Sequence, residues 1–459
     1  MNSQLAIDQE KITSILGKTL EVAERYFQTQ NNLPPGKHVP DICMESLPKI
    51  GIGAEATLDL FEKNFANKIT SSAGPRYFGF VTGGSTPAAI AGDWLVSTYD
   101  QNACGSNDSI APQLERQTLH FLKQLFGLDE DYFGSFVTGA TVSNMTSIAI
   151  ARQWWGEQHG VDISSEGLSG LSSIKILSGS PHASILKSLS ILGMGRGSMT
   201  NVETRPGREA VDIGALENEL KETNSPVIVV ANAGTVNTVD FDDLEAIGKL
   251  KAIYKFWLHV DAAFGGFAGA SEKYKHLIKG INHADSITID AHKWLNVPYD
   301  AAMQFTKHKT LQLKVFQNSA AYLGDPVKSP DFFHYTPENS RRFRALPSWF
   351  TLMAYGKEGC REIVDRNCEM AKKLSEWIST SGKYKLLAPV KMNVVCFTMA
   401  KQSVSADDIN SFLAKVRDDG RVFFTPTNYK GVPAIRAAIS NWQTEEKDID
   451  VAIEVLNDL

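Results

Sequence analysis

The chain has 459 residues, of which 43% are hydrophobic and 21% charged, with a formal net charge of -6. That length exceeds one small domain and supplies a large core, so two or three structural units are expected. The charge balance leaves no basic excess to hold a nucleic-acid backbone or an anionic membrane, and no stretch approaches the about 18 uninterrupted apolar residues of a membrane span.

The first residues, MNSQLAIDQEKITSILGKTL, carry charges among their apolar positions and read as an amphipathic helix rather than a secretion signal. Residues 1–70 are expected to form a helical segment, with a Pro/Gly connector over 28–41. Six apolar runs of strand length follow, at 132–137, 173–177, 226–233, 256–262, 286–290 and 301–306. Between them lie helix-like pieces such as 143–159, 182–193 and 242–255. Strands alternating with helices predict an α/β protein with a mostly parallel sheet covered on both faces. Residues 307–340 break the alternation with Ser, Pro, Asp and aromatics, and a loop of that length is more often functional than inert. A long helix-like segment from Leu346 then leads to a second α/β piece containing KMNVVCFTMA, RVFFTPTNY and PAIRAAISNW. The expected division is a helical segment over 1–70, a large cofactor-binding domain over 71–335 and a small C-terminal domain over 336–459. The five cysteines, Cys43, Cys104, Cys360, Cys368 and Cys396, are scattered with no CxxC pair, which fits reduced thiols in a cytoplasmic protein better than a disulfide frame.

Candidate chemistry falls at strand ends, where ligands sit in open α/β sheets. The run SITID is followed by Ala291-His292-Lys293-Trp294. A lysine just past a buried strand loses solvent, which lowers an amine pKa from about 10.4 and makes it a usable nucleophile toward a carbonyl. The run FWLHV ends in Asp261, a carboxylate that must find a partner or remain costly. An acid and a lysine at the ends of successive strands are the groups that a pyridoxal 5'-phosphate (PLP) site needs. After SFV comes Thr138-Gly139-Ala140-Thr141-Val142-Ser143-Asn144, where small residues open a helix whose free N–H groups suit a phosphate. His182 follows SIKILSGSP and can stack on a planar ring, or simply cap the next helix. Gly234-Thr235 follows PVIVVANA, where a hydroxyl and a free amide can bind an anion or a substrate group, or make an ordinary turn. Two other readings stay open. A metal-dependent hydrolase would use His259, Asp261, Asp290 and His292, although no helix-borne ligand pair is present and Lys293 is left unexplained. A nucleotide-binding module would use Gly193-Met194-Gly195-Arg196-Gly197, although these glycines follow a helix-like stretch instead of a strand.

With HVDAAFGG, DAHKW and the glycine turn in this order, the chain resembles the PLP-dependent group II amino-acid decarboxylases, which include aromatic-L-amino-acid, glutamate and histidine decarboxylases. The resemblance spans roughly residues 70–445 and extends to Pro75-Arg76-Tyr77-Phe78, Ile110-Ala111-Pro112, Arg341-Arg342-Phe343-Arg344-Ala345-Leu346 and Trp349. It implies a type I PLP-dependent transferase fold and a homodimer whose N-terminal helices embrace the partner, with the active site at the subunit interface. Lys293 would bind the cofactor covalently, and Asp261 would pair with its ring nitrogen. His182 and Ala263 would lie on its two faces. Ala140, Thr141 and His292 would hold its phosphate, with Thr235 nearby. The family's NPHK reads DAHK here, so Asp290 stands where the family has Asn, and a carboxylate would repel the phosphate unless it is protonated or turned away. Tyr322 sits where the family carries a mobile-loop tyrosine that protonates the carbon left by decarboxylation, and relatives that oxidatively deaminate commonly carry Phe there. The resemblance thus implies release of CO2 from a small-molecule L-amino acid. Thr82 and residues 101–108 are expected to approach the pocket. The small, polar character of 101–108 and the SIAPQLE segment look closer to the glutamate branch, while RRFRAL and Tyr322-Leu323 look closer to the aromatic branch. An aromatic amino acid is favoured, with glutamate or aspartate next.

Overall fold

The computed structural model describes residues 2–39, 41–105, 109–171, 173–318 and 331–459. Seven strands build the larger sheet: β1 (Phe133–Val137), β2 (Lys175–Ser178), β3 (Met199–Asn201), β4 (Val227–Asn232), β5 (Trp257–Asp261), β6 (Ser286–Ile289) and β7 (Ala302–Thr306), in the order β1-β7-β6-β5-β4-β2-β3. Strands β4, β5 and β6 are buried along their whole length, as continuous apolar runs between two helical layers should be. The neighbours from β3 to β6 pair in parallel.

Strand β7 is the exception, because it runs antiparallel to both β6 and β1. A parallel return needs a crossover element, usually a helix. The link from β6 to β7 holds only the four-residue helix Ala291–Trp294. Because β7 opposes both neighbours, β1 points the same way as β2, β4, β5 and β6, and their C-terminal ends share one edge of the sheet.

The smaller sheet contains β8 (Tyr384–Leu386), β9 (Val394–Met399), β10 (Thr425–Tyr429) and β11 (Val432–Ala438), ordered β10-β11-β9-β8 and antiparallel throughout. Strands β10 and β11 are joined by Lys430 (φ 50°) and Gly431 (φ 83°), a two-residue turn with both central residues left-handed, which matches the twist of the strands it joins. Each sheet has its own apolar core. Helix Ala345–Thr380 serves both, and it breaks at Gly356 (φ 61°, ψ -169°).

Residues 76–80 cross to the smaller sheet. Phe78 N–H donates to the Phe423 carbonyl at 2.9 Å, Ala438 N–H donates to the Phe78 carbonyl at 2.8 Å, and the Tyr77 and Phe423 rings stack at 4.8 Å. The N-terminal helices Ser3–Glu10, Ile12–Thr29 and Ala54–Asn64 bury none of their residues. No helix among the described residues is long and apolar enough to cross a membrane.

One buried ion pair joins distant segments. Arg341 and Glu115 are 0% and 1% exposed, with Nη2 to Oε1 at 2.8 Å and Nη1 to Oε2 at 3.2 Å. The guanidinium also donates to the carbonyls of Ala103 and Phe136, while the Phe136 N–H donates to Glu115 Oε1. Stripping one partner leaves a charge uncompensated in the interior. Glu115→Leu should therefore cost about 3–5 kcal/mol of unfolding free energy in urea. A loss under about 1 kcal/mol would show that the pair is not a buried structural clamp.

Candidate active site

A cavity of about 200 Å³ opens at the shared C-terminal edge of the large sheet. It brings together His182, Thr235, Asp261, Ala263 and Lys293 from segments far apart in sequence. Arg436 on β11 and the apolar side chains of Phe80, Val81 and Phe264 complete its walls.

Lys293 lies in the short helix after β6 with its side chain 20% exposed. Its Nζ is 2.9 Å from Asp290 Oδ2 and 5.6 Å from the centroid of the Phe264 ring. Asp290 is buried, and its Oδ1 has no hydrogen-bond partner. The carboxylate that departs from the family pattern is thus turned toward the lysine. Gly83 backs this arrangement, because a Cβ there would collide with the Lys293 carbonyl oxygen.

Asp261 ends β5 as a buried residue. Its Oδ2 accepts from Asn144 Nδ2 at 3.0 Å, and its Oδ1 accepts from the Ala263 N–H at 3.2 Å. His182 is both a helix cap and a cavity residue: its Nδ1 accepts the Ser184 N–H at 3.2 Å at the start of helix Ala183–Ile191. Burial holds the imidazole below its ordinary pKa, opposed by Asp261, so the ring is neutral at neutral pH.

Thr235 lines the cavity, but the amide expected to be free is not. Its N–H donates to the Asp240 carbonyl at 2.9 Å, and its hydroxyl donates to Glu209 Oε2 at 2.5 Å. Those commitments leave the Thr235 hydroxyl as an acceptor rather than a donor toward any ligand.

Ala140 and Thr141 begin the 19-residue helix Ala140–Gln158, whose N-cap Gly139 supplies no side-chain cap. Its first N–H groups therefore remain available to an anion, at the positive end of the helix dipole. His292 lies beside this terminus: a Cβ on Gly139 would sit 3.5 Å from His292 Cε1. Its Nδ1 accepts the Ala301 N–H at 3.3 Å, which leaves Nε2 carrying the proton, 3.8 Å from Asp290 Oδ2. Burial lowers the His292 pKa, so this imidazole is also neutral at neutral pH.

These groups fit pyridoxal phosphate. An uncapped helix terminus beside an imidazole N–H suits the phosphate, a buried carboxylate suits the ring nitrogen, an imidazole suits a ring face, and a lysine suits the aldehyde. Tyr322 lies outside the described residues.

The metal reading fails on His259. It is fully buried, with Nδ1 at 2.9 Å from Ser286 Oγ and Nε2 at 2.9 Å from Asn144 Oδ1, so neither nitrogen is left for an ion. Among the described residues no group of three or more His, Cys, Asp or Glu side chains is placed to hold a metal. Asn144, Ser184 and Arg436 were not singled out by the motifs. Arg436 did leave a signal, as one charged residue inside the apolar run VPAIRAA. It is buried, donates from Nη2 to the Phe80 carbonyl at 2.9 Å, and its Nε has no partner.

The family model described as "Pyridoxal-dependent decarboxylase conserved domain" matches residues 40–400. The aromatic-L-amino-acid decarboxylase of Bacillus atrophaeus is 27% identical over 419 residues, covering 88% of this chain and 85% of that protein. Among solved structures, Oryza sativa TDC with PLP and tryptamine superposes with a TM-score of 0.89 at 20% identity, covering 98% of this chain and 97% of that one. Rhodiola rosea 4-hydroxyphenylacetaldehyde synthase gives 0.87 at 18% identity, covering 99% and 98%.

The buried imidazole of His259 has a consequence for stability. Burial lowers its pKa from 6.5 to about 4, so below pH 6.5 the unfolded chain takes up a proton that the folded chain refuses. Its contribution is fully present above 6.5 and is lost as pH falls toward about 4, by roughly 3 kcal/mol in all. Urea unfolding across that range should show a shallower pH slope for His259→Leu than for the parent protein. Equal slopes would show that His259 does not resist protonation.

Proposed function

This chain belongs to the pyridoxal-dependent decarboxylase family and is a PLP-dependent amino-acid decarboxylase; from that premise we propose that it acts on an aromatic L-amino acid. The observation that carries the site assignment is the convergence of Lys293, Asp261 and His182 on one cavity at the C-terminal edge of the sheet. Lys293 would hold the cofactor covalently, and Asp261 would pair with its ring nitrogen. His182 and Ala263 would lie along its faces, and Thr235 would accept a hydrogen bond at its edge. Ala140 and Thr141 would offer backbone N–H groups to the phosphate, together with the Nε2–H of His292. When bound, the cofactor supplies an electron sink for the pair released as CO2 leaves.

The remaining residues bind and orient the substrate. Arg436 is the buried cation available for a carboxylate. Burial lowers its pKa to about 10, which still leaves it charged at neutral pH. An apolar wall of Phe80, Val81 and Phe264 suits an aromatic side chain, and Phe80 is 64% exposed on that wall. The Bacillus atrophaeus relative, an aromatic-L-amino-acid decarboxylase, supports this choice. Tyr322 delivers the proton to the substrate carbon after CO2 departs.

The chain acts as a homodimer. The N-terminal helix Ile12–Thr29 exposes Ile12, Leu16, Leu20 and Phe27, and Met44 and Leu47 beyond it are 93% and 94% exposed. An apolar surface of that extent on one flank fits a second copy of the chain.

The test is CO2 release by the purified, PLP-loaded protein against every proteinogenic amino acid. Aromatic amino acids should be turned over fastest, by a protein that sediments at twice 50.4 kDa. Lys293→Ala should lose both turnover and the adduct that borohydride traps. Faster release from glutamate or aspartate would overturn the substrate assignment, and a retained adduct would overturn the lysine.

Product analysis addresses Tyr322. Tyr322→Phe should slow amine formation by about 10²–10⁴-fold, the usual loss for a positioned proton donor, and yield some aldehyde. Unchanged rate and product would remove its role.

A further inference from the structure

Beneath the cavity, buried polar side chains form one continuous hydrogen-bonded chain with Asn144 at its branch point. Asn144 Nδ2 is 3.0 Å from Asp261 Oδ2 and 3.0 Å from Ser184 Oγ, and Asn144 Oδ1 is 2.9 Å from His259 Nε2. Ser184 Oγ in turn lies 2.8 Å from His182 Nδ1. On the far side, His259 Nδ1 is 2.9 Å from Ser286 Oγ, which accepts the Trp257 indole N–H at 3.0 Å.

The chemistry of the two ends fixes the direction of every link. Backbone and indole N–H groups can only donate. Because His182 Nδ1 accepts the Ser184 backbone N–H, that nitrogen carries no proton, so the Ser184 hydroxyl must donate to it as well. The hydroxyl oxygen can then accept, which turns the Asn144 amide nitrogen toward Ser184 and Asp261. The amide oxygen is left facing His259, whose Nε2 must therefore carry a proton. His259 Nδ1 accepts from the Ser286 hydroxyl, and Trp257 closes the chain as its terminal donor. Reversing the amide would present an oxygen to Asp261 and to Ser184 at once.

We propose that Asn144 is a positioning residue that, backed by His259, locks Asp261 as a hydrogen-bond acceptor and, through the Ser184 hydroxyl, ties His182 to the same amide, so that one amide sets the groups on the edge and on the face of the cofactor together. The assignment rests on Asp261 and His182 flanking the cofactor as described above. It goes further in naming what holds them there and in fixing two histidine tautomers. Neither Asn144 nor His259 lines the cavity. Their influence therefore passes through Asp261 and His182.

The test uses holoenzyme labelled with ¹⁵N-histidine, together with Asn144→Leu and Ser184→Ala. In the parent protein, NMR should show both His182 and His259 as neutral Nε2–H tautomers, the two resonances assigned by His182→Asn and His259→Asn. Asn144→Leu removes a charge-assisted hydrogen bond from Asp261. It should weaken PLP affinity about tenfold by equilibrium titration, with kcat falling more than KM rises. Ser184→Ala cuts only the branch to His182. It should move the His182 resonance while the retained backbone N–H keeps its Nε2–H tautomer, and leave His259, and PLP affinity within about twofold, unchanged. An Nδ1–H tautomer at His259 in the parent protein would overturn the proposal. So would an Asn144→Leu enzyme whose PLP affinity and kcat stay within about twofold of the parent. Should Asn144→Leu fail to fold, the parent tautomers and Ser184→Ala still decide it. A Lys293→Ala protein that keeps its borohydride adduct would instead remove the site reading, whatever the tautomers prove to be.

Discussion

A carboxylate at the end of a fully buried strand must be solvated by the protein itself, and Asp261 imposes that requirement on this fold. Asp261 is only 7% exposed, so fixed donors take the place of water. One comes from the local chain, the Ala263 N–H. The other comes from helix Ala140–Gln158, which plants two consecutive polar residues on the sheet. Ser143 bonds Thr288 on β6 and the Met303 carbonyl on β7, and Asn144 bonds Asp261 and His259 on β5. Helix Ala140–Gln158 is therefore anchored by the strands that carry Asp261 and precede Lys293. Asp261, Lys293 and the helix N-terminus are held in one register by strands and a helix rather than by loops.

Much of this architecture was legible in the sequence. Uninterrupted runs such as VIVVAN and WLHVD announce strands covered on both faces, and all six long runs of the first half became strands of the large sheet. The direction of β7 was not legible, because side-chain periodicity carries no information about which way a strand runs. Strands β3 and β8 have three residues each, too few for any period to register. Lys293, Asp261 and His182 were readable because each stands at, or within four residues of, the end of an apolar run and so stands out by contrast. Asn144 and Ser184 were not, because their partners are 117 and 40 positions away and nothing local distinguishes a polar residue that binds across the core from one that caps a helix. The free amide expected at Thr235 failed for the same reason: Asp240, which occupies it, returns only after a turn the sequence does not spell out.

Two segments that carried the family resemblance turn out to be one physical unit. Glu115 lies in the helix that Ile110-Ala111-Pro112 opens, Arg341 opens the RRFRAL stretch, and the two meet as a bidentate pair that also grips Ala103 and Phe136. The clamp fixes the end of β1, and hence the start of the glycine turn, against residues that precede helix Ala345–Thr380. Segments distant from the chemistry thereby set the position of the glycine turn.

The three N-terminal helices sit outside this economy of buried contacts. They bury no side chain against their own chain, and the ties between Ile12–Thr29 and Ala54–Asn64 are surface ion pairs, Lys18 with Asp59 and Arg25 with Glu62. Exposed pairs of this kind contribute little, and an isolated helix of 18 residues is marginal in water. Under the proposed homodimer, the order of this region would follow mass action, tracking how often a second molecule covers it. Diluting that dimer would release helix from this end of the chain first and make its melting depend on concentration.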